Sequence, residues 1–156
     1  MNATRRLLTL SLLFLAGLGL LSATASAAPR IWGGTGSNDL GRGTLTFKVN
    51  NGRATITSLQ VLMACTDTSD GSESTRAFSI GSGPTDTLNR NRFNFNFSRT
   101  SGGRLGQARL TGILRSNGRG NGRLDLNAVG VDQGSNTIVE RCQAALEYRL
   151  RRAPMG

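Results

Sequence analysis

Histidine is absent from this 156-residue chain, and lysine, tryptophan and tyrosine each occur once. Without imidazole there is no Ser-His-Asp or Cys-His nucleophile system, and no zinc site built on histidine. Two cysteines are too few for a four-thiolate metal site within one chain. Aromatic residues are 5% of the sequence, which leaves little for a base-stacking platform. Acids are scarce too, with 9 Asp and Glu against 19 basic residues and a formal net charge of +10. No cofactor motif is present, and any catalysis would have to rest on carboxylates alone.

What is present begins with an export pattern. Arg5 and Arg6 precede an uncharged apolar run over residues 7–21, and small residues follow up to Ala25-Ser26-Ala27. That order is a basic n-region, an apolar h-region and an A-x-A cleavage site, predicting a signal peptide over residues 1–27. Ala23-Thr24-Ala25 is a second cleavage site, leaving Ser26 first instead of Ala28. The run is short for a membrane anchor and is weakened by Gly17 and Gly19. After its removal no segment is apolar enough to span a bilayer as a helix. Thr4-Arg5-Arg6-Leu7-Leu8 matches a twin-arginine signal only loosely, so the export route stays open. The expectation is a bacterial protein, secreted or periplasmic. In an oxidising compartment Cys65 and Cys142 are expected to form a disulfide.

The remainder alternates with a period of two, the signature of half-buried strands. Leu45, Phe47 and Val49 alternate with polar residues up to Asn51-Gly52, a strong hairpin signal. The return strand places Leu59, Val61, Met63 and Cys65 on one face, with Ile56 out of phase. A bulge near Thr57-Ser58 is therefore expected. Phe93, Phe95 and Phe97 alternate with polar residues, and the two strands that follow offer Gly and Ala toward the same interior. A final long strand carries Cys142, Ala144, Leu146, Tyr148 and Leu150 on one side. The fold expected is all-β, an antiparallel meander of about seven strands forming a barrel or sandwich. Its expected organisation is a signal peptide (1–27), a Gly-rich N-terminal segment (28–42) and a single β domain (43–152).

Charge is distributed unevenly. Residues 87–124 contain no acid and eight arginines: Arg90, Arg92, Arg99, Arg104, Arg109, Arg115, Arg119 and Arg123. Residues 28–86 and 125–156 each balance to zero, so this block carries the whole net charge left after signal removal. Guanidinium groups bind carboxylate, sulfate and phosphate bidentately. These eight are the candidate anion-binding residues, and an anionic polysaccharide or cell-envelope surface is the candidate partner. A bland reading competes: 18 Arg to 1 Lys suggests coding bias, and exposed strands need charge against edge pairing. Sequence-specific nucleic-acid binding is not expected, because alternation puts the three phenylalanines in the core.

Other chemistry has thinner support. Asp67, Asp70 and Glu73 share one loop and form a weak candidate metal site, but their spacing is not that of an EF-hand. Glu140 falls on the apolar face of the last strand; it is either at that strand's exposed start or a buried acid needing an Arg partner. The functional expectation is an exported non-enzymatic β protein that binds an anionic envelope or matrix polymer through its arginines. The alternatives are a carboxylate-based polysaccharide hydrolase and a protein-binding or inhibitor module.

Overall fold

The computed structural model describes residues 28–101, 104–132 and 134–154. The expected signal peptide lies outside the described residues. Among the described residues nine strands make one antiparallel sheet: β1 (Arg30–Asn38), β2 (Gly41–Asn50), β3 (Arg53–Asp67), β4 (Glu73–Ile80), β5 (Thr85–Thr87), β6 (Arg92–Ser101), β7 (Arg104–Leu114), β8 (Arg119–Val131) and β9 (Ile138–Arg152). The strand order is β4-β3-β2-β1-β9-β8-β7-β6, with β5 pairing β3 beside β4.

Two strands beyond the expected seven account for the difference in count. The Gly-rich segment forms β1, whose Gly33, Gly34 and Gly36 lie in register with β2 on one side and β9 on the other. A strand flanked this closely tolerates glycine, because backbone pairing on both edges supplies what side-chain packing does not. The short β5 was hidden in a polar loop. The expected simple meander is also corrected. Two meanders, β1 to β4 and β6 to β9, are joined by the pairing of the first strand with the last.

The β1–β2 hairpin acts as a wedge. Below its tip, β3 and β9 pair directly from Ala64↔Gln143 to Asp67↔Glu140. Above it they part, β3 continuing along β2 and β9 along β1. Cys65 and Cys142 face each other in this direct pairing, and their disulfide closes a sequence separation of 77.

The sheet curls until its ends approach, but it does not close as a clean barrel. No backbone ladder joins β6 to β4 or β5 among the described residues. Side chains span the seam instead: the Asn94 backbone N–H donates to Asp86 Oδ2 at 2.8 Å, and Arg99 Nη1 donates to the Ser82 carbonyl at 3.1 Å. Across the interior the rings of Phe47 and Phe93 lie 5.4 Å apart.

The expected local features are present. Asn51 and Gly52 both take positive φ, 48° and 72°, as their tight turn requires. The ladder steps from Thr46↔Ser58 to Phe47↔Ile56, leaving Thr57 as the bulged residue. One inward row runs across six strands as Phe93, Gly112, Gly122, Tyr148, Gly36 and Gly43. Two aromatic rings thus share a layer otherwise made of glycine. A Cβ on Gly112 would collide with the Phe93 ring and the Asn121 carbonyl, so bare backbone is what lets the ring lie flat.

Candidate anion-binding surface

Antiparallel pairing sorts the strand ends onto two rims, and the charges follow. At one rim β1, β3, β6 and β8 begin and β2, β7 and β9 end. Arg30, Arg53, Arg92 and Arg119 come from the beginnings, Lys48, Arg151 and Arg152 from the ends, and Arg90 and Arg115 from the adjoining turns. Among the described residues Asp86 is the sole carboxylate there, and it is engaged with the Asn94 backbone. The opposite rim holds Asp67, Asp70, Glu73, Asp132 and Glu140 against Arg76, Arg104 and Arg141. The first rim therefore carries as much net charge as all of residues 28–156.

This differs from the sequence block. Arg90, Arg92, Arg115 and Arg119 stand on the basic rim, but the other four do not. Arg99 is tied across the seam to Ser82. Arg104 lies at the acidic rim and meets Glu140 at 2.5 Å. Arg109 projects outward in mid-sheet, between Asn96 and Asp125. Arg123, nearby, pairs with Asp125 at 2.9 Å and reaches Glu147 at 3.8 Å. Their places are taken by residues from the neutral blocks, Arg30, Lys48, Arg53, Arg151 and Arg152. Strand-end position was the available signal for these, but reading it requires the strand order.

Within the rim one constellation is specific. Arg119 and Arg151 are directly opposite on β8 and β9 and both point outward. Opposed like charges disfavour each other unless a counter-ion lies between them. Arg152 donates its backbone N–H to the Gly118 carbonyl at 2.9 Å, which folds the β7–β8 turn against the end of β9. Together Asn117, Gly118, Arg119, Arg151, Arg152 and Pro154 line a cleft of about 320 Å³ that no carboxylate enters.

A second, larger depression of about 970 Å³ lies on the outer face, from the start of β2 over β1, β9, β8 and β7. Arg42, Ser37, Glu147, Arg123 and Thr111 cross it as successive ladder neighbours. Thr35, Arg149 and Asn121 form the next row.

The acidic residues have structural employment. Asp67 Oδ1 accepts from the Ser69 backbone N–H at 2.7 Å and the Ser69 hydroxyl at 2.5 Å. Those bonds, the side-chain one foremost, hold the Asp67 carboxyl below its ordinary range. Asp70 Oδ1 accepts from the Ser72 N–H at 2.8 Å, and Gly71 between them has φ 73°. The loop thus uses two of its carboxylates to set the β3–β4 turn. Glu140 is 7% exposed and takes the second of its two sequence readings, a buried acid with arginine partners. Burial pushes its carboxyl pKa up, but bonds from Arg104 and then Arg76 outweigh this and hold it below the ordinary value. Asp132 is likewise held low by the backbone N–H groups of Ser135 and Gly134.

Comparison with protein-family models, with curated proteins and with solved structures finds no match for this chain.

Proposed function

We propose that this is an exported bacterial β protein, secreted or periplasmic, that binds an anionic polymer of the envelope or matrix through its basic rim without catalysing a reaction. The leader pattern of residues 1–27 supports export, and the disulfide fits an oxidising compartment. The observation that carries the binding role is the cleft at Arg119, Arg151 and Arg152: two opposed guanidiniums, a third beside them, and no carboxylate to neutralise them. Crowded cations of this kind gain most from a bidentate oxyanion.

A hydrolase acting through paired carboxylates has less behind it. Such an enzyme needs one acid whose pKa is raised. The carboxylates displaced from their ordinary values, Asp67, Asp132 and Glu140, all move downward. Asp125 and Glu147 are both engaged by Arg123, at 2.9 Å and 3.8 Å.

The test is a heparin titration over a range of salt. Binding at low salt should weaken steeply as salt rises, and Arg119→Ser with Arg151→Ser should cut it about tenfold. Full affinity in that double variant would refute the assignment.

A further inference from the structure

We infer that the outer-face depression is a second subsite, shaped for an acidic sugar residue bearing a carboxylate or sulfate. This rests on the anion-binding reading above and extends it from charge to ligand class.

The cleft and the depression are neighbours along β9, with Arg151 lining the first and Arg149 the second. Arg151 and Arg149 are two residues apart on the same outward face, so the track runs from one to the other. Arg149 projects between Thr35 on β1 and Asn121 on β8, and Arg42 stands at the far margin. No ion pair is made by Arg42 or Arg149 among the described residues, whereas Arg123 in the same depression is neutralised by Asp125 and Glu147. From Arg149 to Arg42 is two strand spacings and one two-residue step, about 12 Å between Cα atoms. The floor between them presents Thr35 and Ser37 of β1, and beyond Arg149 it continues to Asn121 and Thr111; all four side chains donate to and accept from hydroxyl groups.

That composition discriminates among polyanions. A nucleic acid would want exposed aromatic faces for its bases, but Trp32 and Tyr148 are both buried, as are Phe93 and Phe95. A lipid surface would want an apolar rim, and the exposed apolar residue at this end is Ile31. A polymer of acidic sugars offers what the track can use throughout, charge at intervals and hydroxyls between.

The experiment compares three probes by calorimetric titration at low salt: an oligogalacturonate, a heparin oligosaccharide and inorganic polyphosphate. Arg42→Gln with Arg149→Gln should weaken binding of at least one acidic oligosaccharide about tenfold while changing polyphosphate affinity less than about twofold. Which oligosaccharide responds separates carboxylate from sulfate recognition. Arg119→Ser with Arg151→Ser should weaken all three. Equal losses for polyphosphate and both sugars in the Arg42/Arg149 variant, or no loss, would overturn the subsite and leave the rim standing. An Arg119/Arg151 variant that keeps its polyphosphate affinity would instead overturn the rim. Unchanged thermal unfolding of both variants, all four residues being at the surface, confirms that affinity alone is being read.

Discussion

Replacing Tyr148 by Phe should make the protein more stable. Tyr148 is 1% exposed at the middle of the inward glycine row, and its hydroxyl has no hydrogen-bond partner among the described residues. Burial accordingly pushes its phenol pKa upward. Gly43 sits so near that a Cβ placed on it would come within 2.8 Å of the hydroxyl oxygen. A buried hydroxyl without a partner costs about 1–3 kcal/mol. Phenylalanine keeps the ring and its packing over Gly36 while removing that cost. The expected gain is about 1–2 kcal/mol, a rise of roughly 3–10 °C in Tm for a domain of this size. Urea unfolding followed by intrinsic fluorescence reads it directly as a higher midpoint with the slope unchanged. A loss of about 1 kcal/mol or more would refute the reasoning, because it would mean that the hydroxyl makes a stabilising bond.

Three further outcomes follow from the same packing. Reducing the Cys65–Cys142 bond, or replacing both cysteines by Ala, should lower stability by up to about 4.5 kcal/mol in the chain-entropy model, measurable as a shift in urea midpoint. Gly112→Ala should cost about 3 kcal/mol, since the added methyl meets both a backbone carbonyl and the Phe93 ring; Gly52→Ala meets nothing within 4 Å and should show only the milder strain of its φ of 72°. For Glu140 the pH dependence has a definite sign. Its folded pKa lies below the ordinary 4.5, so its contribution is complete above that value and disappears as pH falls through the folded one. Glu140→Gln should therefore lower stability at neutral pH and flatten the acid limb of a stability profile, whereas an unchanged acid limb would show that the pairing with Arg104 and Arg76 contributes nothing.

Much of the fold was legible because its signals are local. Asn51-Gly52 dictates its own turn, and the phase slip between Ile56 and Leu59 announces the bulge at Thr57. Glu140, two residues from Cys142 on an apolar face, left two readings open, an exposed strand start or a buried acid with an arginine partner, and the structure takes the second. The partners themselves, Arg104 and Arg76, come from β7 and β4, and nothing local pointed to them. The same limit governed the charge. Residues 87–124 are contiguous in sequence, but antiparallel strands send alternate ends of that block to opposite rims, separating Arg104 from Arg119. Arg151 and Arg152 were hidden in a block that balances to zero. Only the order of strands shows that their balancing acids sit elsewhere. Strand β1 was missed for a different reason: its glycines give no period-two pattern, and its register is supplied by β2 and β9.

The wedge of β1 and β2 between β3 and β9 also sets a sequence of events for folding. Trp32 pairs with Arg152, so the first strand needs the last before its second edge is satisfied. Local hairpins such as β6–β7 and β7–β8 are free to form early, while the centre of the sheet waits for the C-terminal strand. Such long-range closure is intrinsically slow. Until β9 arrives, β1 and β3 each present an unpaired edge, and Cys65 has no partner thiol in reach. Oxidation is then a marker of completion, since the step that brings Cys142 beside Cys65 is the one that seats β9 and closes the middle of the sheet.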